Sequence, residues 1–119
     1  MLILQNGKRS GFIGENRFYI GRANLSFNLP HSPLANPFIL GRDGERREVI
    51  EKFRQWLWPQ LKLWRETGEL TEATQALKAI AVDVDEGKLV ILTCWCRPEP
   101  CHGEVIMSCV HWIIEQGMV

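Results

Sequence analysis

No apolar run in the chain approaches the roughly 18–20 residues that a membrane-spanning helix needs, which excludes such a span as the reading of any segment. No export signal is expected either, since "MLILQNGKRS" turns polar too early for the apolar core of a secretory leader. The expected compartment is therefore the cytoplasm, where thiols stay reduced, and Cys94, Cys96, Cys101 and Cys109 are not expected to form a disulfide framework. Net charge is also missing, with 14 basic against 14 acidic residues, so no overall attraction draws the chain to nucleic acid or to a membrane surface. Internal repeats and low-complexity tracts are absent. With 45% hydrophobic and 24% charged residues the composition argues against disorder. A length of 119 residues fits one domain with a single core, expected to span 1–119.

The zero balance hides an asymmetry. Through Arg42 the bases are Lys8, Arg9, Arg17, Arg22 and Arg42, against Glu15 alone. From Glu66 to Glu86 the acids are Glu66, Glu69, Glu72, Asp83, Asp85 and Glu86, against Lys78. Basic side chains gathered early in the chain suit an anionic ligand; the plainer reading is an unevenly charged, solvated surface.

Short strands and turns are predicted for the first third. Leu2–Leu4 is apolar, Asn6-Gly7 is a hairpin signal, Gly11–Ile13 is a return strand, and "RFYIGR" is a further strand. "ANLSFNLPHSPLANPFILGRDG" has three prolines and no clean period, and a loop of that length in a small domain is usually functional. Helical spacing places Val49, Ile50, Phe53, Trp56 and Leu57 on one stripe. Pro59 is expected to stop or kink that helix, leaving a short second one over 60–66 that ends at Gly68. Thr71 is the expected N-cap of a third helix burying Ala73, Ala76, Leu77 and Ile80. Leu89–Thr93 reads as a strand covered on both faces, followed by a last helix over 101–115. The expected fold class is α/β: a layered domain with a mixed sheet, N-terminal hairpin-like strands, and helices packed on the sheet.

Between that strand and that helix stands "TCWCRPEPCHGE". In open α/β sheets ligands bind beyond the carboxyl ends of strands, where the next helix presents unpaired N–H groups and partial positive charge. With Pro100 at the first helical position, Cys101 and His102 fall in the first turn, where a thiolate is stabilised. Gly103 permits close approach of a ligand or another backbone. Several chemistries compete for the loop. Zinc bound by Cys94, Cys96, Cys101 and His102 has suitable donors but not the usual paired C-x2-C spacing. The "HGE" of a zinc deaminase lacks the P-C-x-x-C that should follow it. A Cys101 nucleophile with His102 or His31 as base is a third reading, although neighbours on a helix diverge by about 100°. A cradle for an anionic or nucleotide-like small molecule is the fourth and leading one. Against all of these, Cys94 and Cys109 also read as core residues, Trp95 as a cover for the loop, and His111 as exposed.

"YIGR", "SPLANPF", the arginine-rich helix start and "CWCRPEPCHGEVI" together resemble the DUF4326 family, a domain of unknown function found in bacteria and phages, over roughly Tyr19 to Ile113. A looser similarity links the strand and its cysteine-rich helix start to the DUF488 family. The resemblance implies a Rossmann-like α/β domain and a set of motif positions, not a reaction. Those positions are Tyr19, Gly21 and Arg22; Ser32, Pro33, Asn36 and Pro37; Arg46 or Arg47; and Cys94, Cys96, Pro98, Cys101, His102 and Gly103. Glu104 stands where the family more often has aspartate.

The expected ligand-binding set is Tyr19, Gly21, Arg22, Ser32, Asn36, Arg46, Cys96 and Gly103, with Cys101, His102 and Glu104 as the chemical groups. Arg22 suits a bidentate clamp on phosphate or carboxylate, or else an ion pair with Glu104. Asn36 suits a base or sugar edge, or else a bridge within its own loop. A hydrolase or transferase would use Glu104 or His102 as acid or base. The alternatives are a nucleic-acid accessory module using the basic first third, or a structural zinc domain. The residues specify neither cofactor nor oligomeric state.

Overall fold

Val90–Cys94 is rich in apolar and β-branched residues and almost wholly buried, as a strand with neighbours on both sides should be. The computed structural model, which describes residues 1–119, makes it the middle strand of a three-stranded sheet. The elements in chain order are strand β1 (Leu2–Asn6), short helix α1 (Gly7–Ser10), strand β2 (Arg17–Tyr19), a 3-10 turn (Leu25–Phe27), helices α2 (Arg46–Thr67) and α3 (Glu72–Asp85), strand β3 (Val90–Cys94) and helix α4 (Gly103–Glu115). Leu2 pairs with Val90 and Arg17 with Ile91, both in parallel, giving the order β1-β3-β2.

The α/β class holds; the mixed sheet and N-terminal hairpin do not. Asn6 serves as a helix cap instead of a turn residue: its Oδ1 accepts the Lys8 N–H at 2.9 Å, and Gly7–Ser10 coils into α1. Phe12 then packs on Gly7, where a Cβ would collide with its ring, and no return strand lies beside β1. Both early strands instead find their hydrogen bonds on β3, more than seventy residues further on.

Pro59 likewise neither stops α2 nor divides it. The proline is exposed, and the Gln60 side-chain amide donates to the Trp56 carbonyl at 3.1 Å. Val49, Phe53, Leu57, Leu61 and Trp64 form one buried stripe across it. Gly68, at φ 78°, closes α2, and Thr71 caps α3 as expected. One apolar cluster joins α2, α3 and α4 to the sheet through Phe53, Leu57, Leu77, Leu92, Ile106 and Ile113. No helix is long and apolar enough to cross a membrane.

The last helix starts at Gly103, two residues later than expected, with His102 at the N-cap. A Cβ on Gly103 would lie 2.7 Å from Leu4 Cδ1 and 2.9 Å from Ile20 Cδ1. The glycine therefore lets α4 close onto β1 and the end of β2. Gly103→Ala is expected to lower stability by about 1–3 kcal/mol, the usual cost of overpacking, as read from urea unfolding.

Candidate functional site

Beyond the carboxyl ends of β2 and β3, and roofed by the first turns of α2, lies a cavity of about 540 Å³. Tyr19, Gly21, Arg22, Asn36, Arg46, Cys96, Cys101 and His102 line it, as do Cys94 and Trp95. Ser32, Gly103 and Glu104 do not. Gly103 faces Leu4 and Ile20 rather than a ligand. Glu104 is exposed and paired with Arg97 at 3.1 Å, not with Arg22. His31 is exposed and also off the cavity.

The wall is built by spending polar side chains on backbone. Arg22 donates through Nη2 to the Asn36 carbonyl and, at 3.0 Å, to the Phe38 carbonyl, tying the strand end to the long loop. Asn36 donates from Nδ2 to the Val49 carbonyl at 3.0 Å and accepts the Phe38 N–H at 3.0 Å. Its amide is thus used as a bridge and has little left to read a base edge. Ser32 accepts the Leu34 N–H at 3.1 Å in the same manner. Tyr19 donates its hydroxyl proton to the Arg22 carbonyl and accepts the Trp95 Nε1–H at 2.9 Å. Gly21 leaves room for that hydroxyl, with which a Cβ would collide. Trp95 leans on Phe12 with ring centroids 4.3 Å apart.

The cysteine loop is anchored from β1: Asn6 Nδ2 donates to the carbonyls of Trp95 at 3.2 Å and Arg97 at 2.9 Å. A turn closed by Glu99 N–H on the Cys96 carbonyl, at 2.8 Å, contains a cis Arg97–Pro98 bond and returns the chain toward Cys101. Cys94 and Cys101 are buried, whereas Cys96 is partly open to the cavity. The Cys101 pKa is raised, chiefly by the neighbouring Cys94 and Cys96 thiols and then by burial. Cys96 is lowered to about 6, first by the hydrogen bond from Cys101 and then by the guanidinium of Arg46, with Arg22 adding positive charge, against burial. Cys94 is lowered to about 7, again chiefly by Cys101. Arg46 also donates to the Pro100 carbonyl at 3.2 Å, which pins its head group at the loop.

The acidic, accessible thiol is thus Cys96, whereas helix-start reasoning points to Cys101. The physical reason is the register of α4: Cys101 lies outside the first turn, and only one amide, Gly103 N–H at 3.3 Å, reaches it.

His102 is buried, and its Nε2 lies 2.9 Å from the Ile20 carbonyl and 3.0 Å from the Leu34 carbonyl. Two carbonyl partners require a proton on Nε2, leaving Nδ1 as an acceptor 3.6 Å from Cys101 Sγ. Burial holds the His102 pKa below its ordinary value. No group of three or more His, Cys, Asp or Glu side chains is arranged to hold a metal ion, and Nε2 of His102 is turned to carbonyls.

Glu99, Phe38, Leu40, Val49 and Ile50 also line the cavity. Val49 and Ile50 read as helix core, and Phe38 and Leu40 carried no signal beyond being apolar residues in a long loop. Asn6, masked by the hairpin signal beside Gly7, is the anchor that sequence reasoning missed.

Fold and site together define a small α/β domain with a parallel sheet and a thiol-lined, arginine-bearing cleft at its carboxyl edge. The chain belongs to the DUF4326 family, a domain of unknown function, whose model matches residues 5–112. Comparison with curated proteins and with solved structures finds no match.

Proposed function

We propose that this domain binds an anionic small molecule, nucleotide-like in having a charged group joined to a flat or apolar one, in the cleft at the end of β3. The observation that carries the reading is that Arg22 and Arg46 both line one cavity of about 540 Å³, a size suited to such a molecule. Arg22 spends Nη2 on loop carbonyls and keeps further donors; Arg46 spends one. Phe38, Leu40, Ile50 and Trp95 supply an apolar wall for the uncharged part. The Rossmann-like reading of the architecture belongs to the same proposal: parallel strands carry a cleft at their carboxyl ends, where α/β folds place ligands.

Thermal shift with nucleoside mono-, di- and triphosphates tests this. Stabilisation should grow with concentration and reach about 2.7 kcal/mol at a hundredfold excess over Kd. Arg46→Ala should remove most of it, and is preferred to an Arg22 substitution because Arg22 also holds the 36–38 loop. If no anion stabilises the protein, or if Arg46→Ala responds like the parent, the binding reading fails.

A further inference from the structure

We propose that Cys96 and Cys101 form a nucleophilic and resolving thiol pair that reduces a low-molecular-weight disulfide entering the cleft. The proposal needs the same cavity as the binding reading but not the identity of the anion.

Three features carry it. Of the three clustered thiols only Cys96 is open to the cavity; Cys94 and Cys101 are 2% and 1% exposed. The turn closed by Glu99 N–H on the Cys96 carbonyl returns the chain so that Cys101 lines the same cavity as Cys96. His102 Nδ1, free of a proton because Nε2 serves two carbonyls, lies 3.6 Å from Cys101 Sγ and is placed to take the thiol proton. Cys96 is also the more acidic thiol, held so by Cys101 and then Arg46 and Arg22, against burial; besides these, Cys94 and His102 share the site and Glu99 lines the same cavity. Gly103 N–H, 3.3 Å from Cys101 Sγ, is a donor for negative charge that arises there.

In the first step the Cys96 thiolate attacks one sulfur of the substrate R–S–S–R. A Cys96–S–R bond forms, the substrate S–S bond breaks, and RS⁻ leaves. In the second step His102 Nδ1 takes the Cys101 proton and the Cys101 sulfur attacks Cys96 Sγ. The Cys96–Cys101 bond forms and the second RS⁻ departs. The proton passes from His102 to a departing thiolate, giving one RS⁻ and one RSH. Two electrons move from the cysteine pair to the substrate, and no other reactant is needed.

The test exposes fully reduced protein to oxidised glutathione, which is anionic, and to bis(2-hydroxyethyl) disulfide, which is neutral, with intact-mass and peptide mapping over time. The parent should lose two hydrogens and map to a Cys96–Cys101 bond. Cys101→Ser should stop at a mixed disulfide on Cys96, and Cys96→Ser should react at least about tenfold more slowly. A bond mapped to Cys94, an unslowed Cys96→Ser protein, or no adduct on Cys96 in Cys101→Ser would overturn the pair. Mapping in the parent decides the matter even where a variant fails to fold. If the neutral disulfide reacts as fast as the anionic one, the thiol pair stands without support from the anion site. If neither reacts while nucleotides still stabilise the protein, the pair falls and the binding reading survives.

Discussion

Replacing His102 with alanine is expected to destabilise the fold by about 2–5 kcal/mol, since it leaves two buried carbonyls without a donor and a void beside an aromatic ring. The carbonyls are those of Ile20, at the end of β2, and Leu34, in the long loop, so one ring nitrogen fastens the loop to the sheet. The ring also meets the edge of Phe53, with centroids 4.8 Å apart. Glutamine, which keeps an N–H donor, should recover part of the loss; urea unfolding measures both. The same burial gives a pH signature. His102 in the folded protein has a pKa below the ordinary value of 6.5, so below that pH the unfolded chain takes up a proton that the folded one resists. Stability from this source is fully present above about pH 6.5 and falls as the medium becomes more acid. In His102→Gln that part of the pH dependence should vanish. An unchanged slope would show that the ring is not held neutral.

The same histidine shows how far the sequence could be read. Its position at a helix start beyond a buried strand was legible, because strand and helix are announced by local patterns: a β-branched run ending at Cys94, then apolar residues at helical spacing from Val105. Its job was not, because the partners of Nε2 lie 82 and 68 residues away along the chain. The N-terminal hairpin failed for the same reason. Asn6-Gly7 is a local signal, and what decides the pairing of β1 and β2 is a non-local partner, β3, that no window of sequence contains. The continuity of α2 through Pro59 likewise depends on a stripe from Phe53 to Leu61 packing as one surface. Arg22, Asn36, Arg46 and the cysteine loop, each singled out along the sequence, line one cleft. The division of labour inside it was not readable. Whether Asn36 faces a ligand or its own loop, and which thiol carries charge, depend on angles and neighbours that composition and spacing leave free.

That last point yields the second large effect. Alkylation of Cys96 by iodoacetamide should rise with pH through an inflection near 6, where its thiol ionises. Cys109, raised to about 11 by burial between α2 and α4, provides the internal contrast. At pH 7 most of Cys96 is thiolate and almost none of Cys109 is. After allowance for the weaker intrinsic nucleophilicity of a low-pKa thiolate, Cys96 should react roughly 50-fold faster. Since the hydrogen bond from Cys101 is the largest cause of the low value and Arg46 comes after it, Cys101→Ala should move the inflection upward further than Arg46→Ala. Both directions follow from one arrangement, in which a buried S–H and a surface guanidinium converge on the same sulfur. The order of the two shifts separates it from a simple charge effect, in which added salt and Arg46→Ala would act alike and Cys101 would not matter. An inflection at the ordinary thiol value of about 8.5 in the parent would mean that Cys96 is not held as a thiolate, and that the chemistry of the cleft, if sulfur carries it, starts at another atom.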